Sequence, residues 1–151
     1  MGMYTEIKPM VDDLVKKGVR LEEAVDEALK KFNPLYSAIE MKLSELGNGK
    51  AVAYISFLKR FMNPNGTMHG GIIASVIDQV GALASWSSHW GENQVTLELK
   101  INYLRPFTEE ESPFRAVGEV IKSGKNTIVT EIKVYGKSGN ILAIGLGTWF
   151  K

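Results

Sequence analysis

Apolar positions recur along this chain with two different periods, and the change of period divides it into regions. Val11, Leu14, Val15, Leu21, Ala24, Val25, Ala28, Leu29 and Phe32 fall at helical spacing with a break near Gly18, which predicts two amphipathic helices. Strands are expected over 39–46 and 51–58, joined by the tight-turn sequence Gly47-Asn48-Gly49. A long apolar helix follows from about His69 to Ser88. Beyond it Val95, Leu97, Leu99, Ile101 and Tyr103 alternate with Thr96, Glu98, Lys100 and Asn102, which predicts a strand with one buried face. Three more strands are expected over 114–122, 127–136 and 140–150, with turns at Ser123-Gly124 and Ser138-Gly139. Successive strands around one apolar helix describe an α+β fold, an antiparallel sheet wrapped about a long central helix, with an extra N-terminal helical segment.

The central helix carries the candidate chemistry. At about 100° per residue, Ile72, Ile73, Val76, Ile77, Val80 and Leu83 cluster on one side, and Gly71, Ala74, Ser75, Asp78, Ala82 and Ser85 on the other. Small residues on that second strip let another backbone or a narrow ligand approach, where an ordinary surface helix would carry Lys and Glu. Asp78 sits at its centre. A carboxylate buried there is costly unless it is hydrogen-bonded, paired or put to use.

The helix start is the second signal. Thr67-Met68-His69-Gly70-Gly71 leaves backbone N–H groups and the positive end of the dipole open, an arrangement suited to a carbonyl oxygen that becomes an oxyanion. Gly70 and Asp78 are eight residues apart, so they lie roughly 12 Å apart along one helix axis, too far to act on one carbonyl. Two copies of the helix, antiparallel about a twofold axis, would set the N-terminus of one against Asp78 of the other.

Asn63, Gly66, His69-Gly70-Gly71 and Asp78 together resemble the hotdog-fold acyl-CoA thioesterases of the phenylacetate-degradation (PaaI) type. The segments 95–107 and 124–150 are similar to the family's strand after the central helix and its last hairpin. The resemblance implies a hotdog domain over 35–151, preceded by a helical extension over 1–34. It implies Asp78 as nucleophile or general base, the Gly70 N–H as oxyanion donor and Asn63 as a polar group near the carbonyl and water. His69 would be an orienting group and Thr96 a small hydroxyl residue at the site. Gly71, Arg105, Lys122, Lys125 and Asn126 would serve substrate binding, the turn 122–126 carrying Lys where the family has Arg, so point charges replace bidentate forks. The expected substrate is an acyl-CoA, with coenzyme A as part of the substrate, no separate cofactor and no metal. The expected assembly is a homodimer or homotetramer. Each residue also has a plainer reading: Asn63 before Pro64 can shape a turn, His69 can be a helix-start residue, and Thr96 an ordinary strand position.

Composition narrows the alternatives. The 151 residues suit one domain, and 18 basic against 17 acidic residues leave no electrostatic footprint for nucleic acid. With no cysteine and two widely separated histidines, a thiol nucleophile, a disulfide and a metal site find no residues, leaving carboxylate and backbone to do the chemistry. No secretion signal or membrane-spanning run is visible, which makes the expected location cytoplasmic. A serine hydrolase would need a G-x-S-x-G elbow, which is missing. A hotdog hydratase would need an acid before the His, where Asn63 stands. A noncatalytic acyl-CoA binder or sensor is the alternative, and the intact Asp78 weighs against it.

Overall fold

The computed structural model describes residues 4–90 and 93–151. Three helices come first: α1 (Tyr4–Lys16), α2 (Leu21–Phe32) and the short α3 (Pro34–Ala38). The strands β1 (Lys42–Gly47) and β2 (Lys50–Ile55) precede the central helix α4 (Gly70–Ser87). After it come β3 (Val95–Tyr103), β4 (Phe114–Ser123), β5 (Thr127–Tyr135) and β6 (Ile141–Phe150). All strands pair antiparallel in one six-stranded sheet of order β1-β2-β4-β5-β6-β3.

The expected hairpin between β1 and β2 forms because Gly47, Asn48 and Gly49 all take positive φ (151°, 53° and 76°), which this sequence tolerates. The segment 34–38, by contrast, is helical where the sequence reading has no element, and β1 starts at Lys42 rather than at 39. The cause is local: the Asn33 side chain accepts from the Tyr36 N–H at 3.0 Å, and Pro34 occupies the first helical turn. Likewise β2 ends at Ile55, and the chain passes through a 3-10 turn at Lys59–Phe61.

The sheet curls around α4, whose Ile73, Val76, Ile77, Val80, Leu83, Ala84 and Trp86 are buried. Contact is close: a Cβ on Gly81 would lie 2.3 Å from the Trp149 ring of β6, so only glycine lets the helix settle there. Two details depart from the helical-wheel reading. Ile72 is half-buried, and Ser85, assigned to the open strip, is fully buried with its hydroxyl donating to Gln94 Oε1 at 2.8 Å. The strip therefore faces outward only over its first half.

The expectation of one buried face on β3 is also corrected. β3 is the last strand of the sheet, and Val95, Leu97 and Tyr103 remain 59%, 58% and 49% exposed. Those three are uncovered within one chain, whereas Leu99 and Ile101 are half-buried against the core.

The N-terminal helices are bolted to this body by Asp26. Its carboxylate accepts from the Tyr36 hydroxyl at 2.5 Å, the Leu43 N–H at 2.8 Å and Lys30 Nζ at 2.6 Å, so α2, α3 and β1 meet at one buried charge. No helix among the described residues is long and apolar enough to cross a membrane.

Candidate functional site

Asp78 lies about two turns into α4 and faces the first residues of β3. Its Oδ1 accepts a 2.8 Å hydrogen bond from the Thr96 hydroxyl. Thr96 pairs with Trp149 of β6, and the ladder slips between Thr96 and Glu98, a bulge of the kind that re-aims side chains at sites. The expectation of a buried carboxylate at 78 is corrected for the single chain: Asp78 is only half-buried, and the enclosed carboxylate is Asp26, 9% exposed. The sequence reading missed Asp26 because a charge inside an amphipathic helix, four residues from Lys30, reads as a solvated i,i+4 pair.

Asp78 and Thr96 stand on the wall of a cavity of about 500 Å³, within the size range of small-ligand sites. Gln79, Ala82, Leu83 and Trp86 of α4 continue that wall, Trp149 faces them from β6, and Ile7 of α1 and Leu29 of α2 complete it.

A second depression, about 380 Å³, lies at the start of α4 and gathers Asn63, Thr67, Gly70, Tyr103 and Arg105. His69 caps the helix with φ −56° and ψ 134°, and its carbonyl already accepts from the Ile72 and Ile73 N–H groups. The amides of Gly70 and Gly71 therefore sit in the first turn with no intrahelical acceptor. A Cβ on Gly71 would meet nothing within 4 Å, and one on Gly70 would touch only Tyr103, so the approach to both amides is open within the chain. The His69 side chain is exposed and makes no cap bond, while its backbone N–H donates to Phe61 at 2.9 Å.

Asn63 shapes the loop that presents this helix end. Its Oδ1 accepts from the Asn65 and Thr67 N–H groups at 2.9 and 3.2 Å, and its Nδ2 donates to the Thr67 hydroxyl at 2.9 Å, leaving one amide N–H for another acceptor. Tyr103, which strand alternation counts only as an apolar position, hydrogen-bonds the Gly70 carbonyl at 2.5 Å, and burial pushes its hydroxyl pKa up. That contact fixes the peptide plane between Gly70 and Gly71. No period-2 pattern could reveal it; the nearest signal is a tyrosine just ahead of Arg105-Pro106.

The structure thus brings the expected residues together in two groups rather than one. Asp78 and Thr96 meet at one place; Asn63, Gly70 and Arg105 meet at the other, roughly 12 Å away along the helix. Lys122, Lys125 and Asn126 lie on the β4–β5 hairpin and line neither depression. Lys122 pairs with Val129, whereas Arg105 bonds the Ile141 carbonyl opposite Tyr135, so about 20 Å of β5 separates them. One chain does not gather the three basic residues around one phosphate. The hairpin does share an end of the sheet with Thr96, through the row Ser123, Ile128, Trp149, Thr96. Among the described residues no group of three or more His, Cys, Asp or Glu side chains could hold a metal ion.

A six-stranded antiparallel sheet curled around one helix, with a carboxylate and an open helix start along that helix, defines the hotdog class, and the model of the thioesterase superfamily matches residues 65–143. The chain belongs to that superfamily. A Saccharolobus solfataricus protein that carries a provisional esterase name is 36% identical over 128 residues, covering 85% of this chain and 90% of that protein. Human acyl-coenzyme A thioesterase 13 is 27% identical over 101 residues, 66% of this chain and 71% of that one. In fold, the chain is similar to the E. coli PaaI protein from the phenylacetic acid degradation operon, with a TM-score of 0.77 at 23% identity over 83% of this chain and 88% of that one.

Proposed function

We propose that this chain is an acyl-CoA thioesterase that works as a dimer, each site taking Asp78 from one chain and the Gly70 amide from the other. The observation that carries the reading is the division of the site: the carboxylate with its Thr96 partner and the open amides lie too far apart in one chain, yet on the same helix. Two α4 helices side by side and antiparallel close that gap twice, once for each site. The uncovered apolar edge of β3, next to Thr96, supports the same pairing.

At such a site the thioester carbonyl points its oxygen at the Gly70 N–H, where the first turn's free donors stabilise the charge that develops. Asp78, held by the Thr96 hydroxyl, either takes a proton from water as that water attacks the carbonyl carbon or attacks it directly, forming an anhydride that water then opens. In both routes the C–S bond breaks, the thiolate of coenzyme A leaves and is protonated, and the free acid remains. Arg105 beside the Gly70 groove, and Lys122 and Lys125 on the hairpin, are the candidates to attract the phosphates.

Release of free thiol from a panel of aliphatic and aryl-acetyl CoA esters, compared between wild type and Asp78→Asn, tests this. Turnover should fall at least about 100-fold in the variant with the melting temperature nearly unchanged. Binding without turnover in the wild type would instead make the protein a carrier or sensor.

A further inference from the structure

The cavity beside Asp78 is lined in part by side chains that lie outside the segment matched by the superfamily model: Ile7 of α1 and Leu29 of α2, 2% and 4% exposed. We propose that these two residues, together with Trp86, form the end wall of the acyl-binding cavity and set an upper limit of about ten carbons on the acyl chain, estimated from C–C bonds of about 1.5 Å laid along two turns of helix. The inference rests on the thioesterase reading for the nature of the ligand, since a chain whose carbonyl lies at Asp78 enters this cavity first.

The length follows from the helix. Asp78, Ala82 and Trp86 recur every four residues along one face of α4, so the cavity they line runs about 12 Å from carboxylate to indole. Each bond of an extended hydrocarbon advances roughly 1.25 Å, given single bonds of about 1.5 Å in a zigzag. At that end of α4 the Trp86 and Trp90 rings lie 4.2 Å apart.

The chemistry of the lining favours an unsubstituted chain. Three of the amide side chains on the wall already have partners: Asn33 Nδ2 donates to Gln79 Oε1 at 2.9 Å, and Gln94 accepts from the Ser85 hydroxyl and donates to the Ala82 carbonyl at 2.6 Å. A hydroxylated or charged acyl group would have to break such pairs, whereas a hydrocarbon meets Ile7, Leu29, Leu83 and Trp86.

The test uses the full-length protein with straight-chain acyl-CoAs from four to sixteen carbons, reading kcat/KM against length for wild type, Ile7→Ala, Leu29→Ala and Leu29→Phe. Wild type should peak near ten carbons; the alanine variants should move the peak at least two carbons longer, and Leu29→Phe should move it shorter. The preference should change about four-fold per methylene, the equivalent of about 0.8 kcal/mol each. Tryptophan fluorescence quenching by free fatty acids of the same lengths, through Trp86 and Trp149, reads the cavity without catalysis, and Ile7→Val is the milder substitution should an alanine variant not fold. Turnover with a length profile that none of these variants shifts would overturn the end-wall assignment and leave the thioesterase reading standing. No turnover, with quenching whose length dependence still shifts in the variants, would overturn hydrolysis and uphold the assignment.

Discussion

Gly70 is the residue at which a single atom can be removed with the least disturbance. It is the first residue of α4, a position where proline is pre-organised, and His69 before it already has the extended ψ of 134° that a following proline requires. Gly70→Pro should therefore delete the proposed oxyanion donor, lowering kcat about 100- to 1,000-fold while the helix stays intact by circular dichroism. Gly70→Ala keeps the N–H, and its Cβ would stand 3.4 Å from Tyr103, an ordinary contact, so it should retain activity within several-fold. Equal loss in both variants would show that space, not the amide, matters there. At this scale the sequence singled out Asp78, Gly70 and Thr96 by residue type, and the fold bonds Thr96 to Asp78, the part of that reading that geometry alone can address. The sequence was silent where a role depends on meeting a distant backbone group, as for Tyr103 on Gly70 and Asp26 on Leu43.

Elements followed from pattern when they carried their own period. The hairpins and α4 were legible because turn residues and apolar spacing are local, and the short α3 was not because five residues hold too little periodicity to outweigh a neighbouring strand reading. Its one sequence signal was Asn33-Pro34, an N-cap followed by proline. The docking of the N-terminal helices was beyond any periodicity, since it rests on Asp26 linking α2 to Tyr36 and to the Leu43 amide. Asp26→Ala would leave that buried hydroxyl and N–H unsatisfied and should lower the unfolding free energy by about 2–4 kcal/mol in urea titrations. A change below about 0.5 kcal/mol would mean that apolar contacts alone hold α2 in place.

For the whole molecule, β3 explains why alternation misled. Its pattern is that of a half-buried strand, yet it ends the sheet of one chain with Val95 and Leu97 uncovered, the face that the proposed dimer would cover. Leu97→Lys should therefore shift the protein toward monomer in sedimentation experiments and reduce turnover in parallel, with the fold retained. The central claim, one site built by two chains, is tested most directly by mixing inactive Asp78→Ala chains with inactive Gly70→Pro chains under conditions of subunit exchange. Half the dimers are then mixed, and each has one intact site of two, so thiol release should recover to about one quarter of wild type. Mixed dimers, verified by mass, that remain inactive would contradict the shared site.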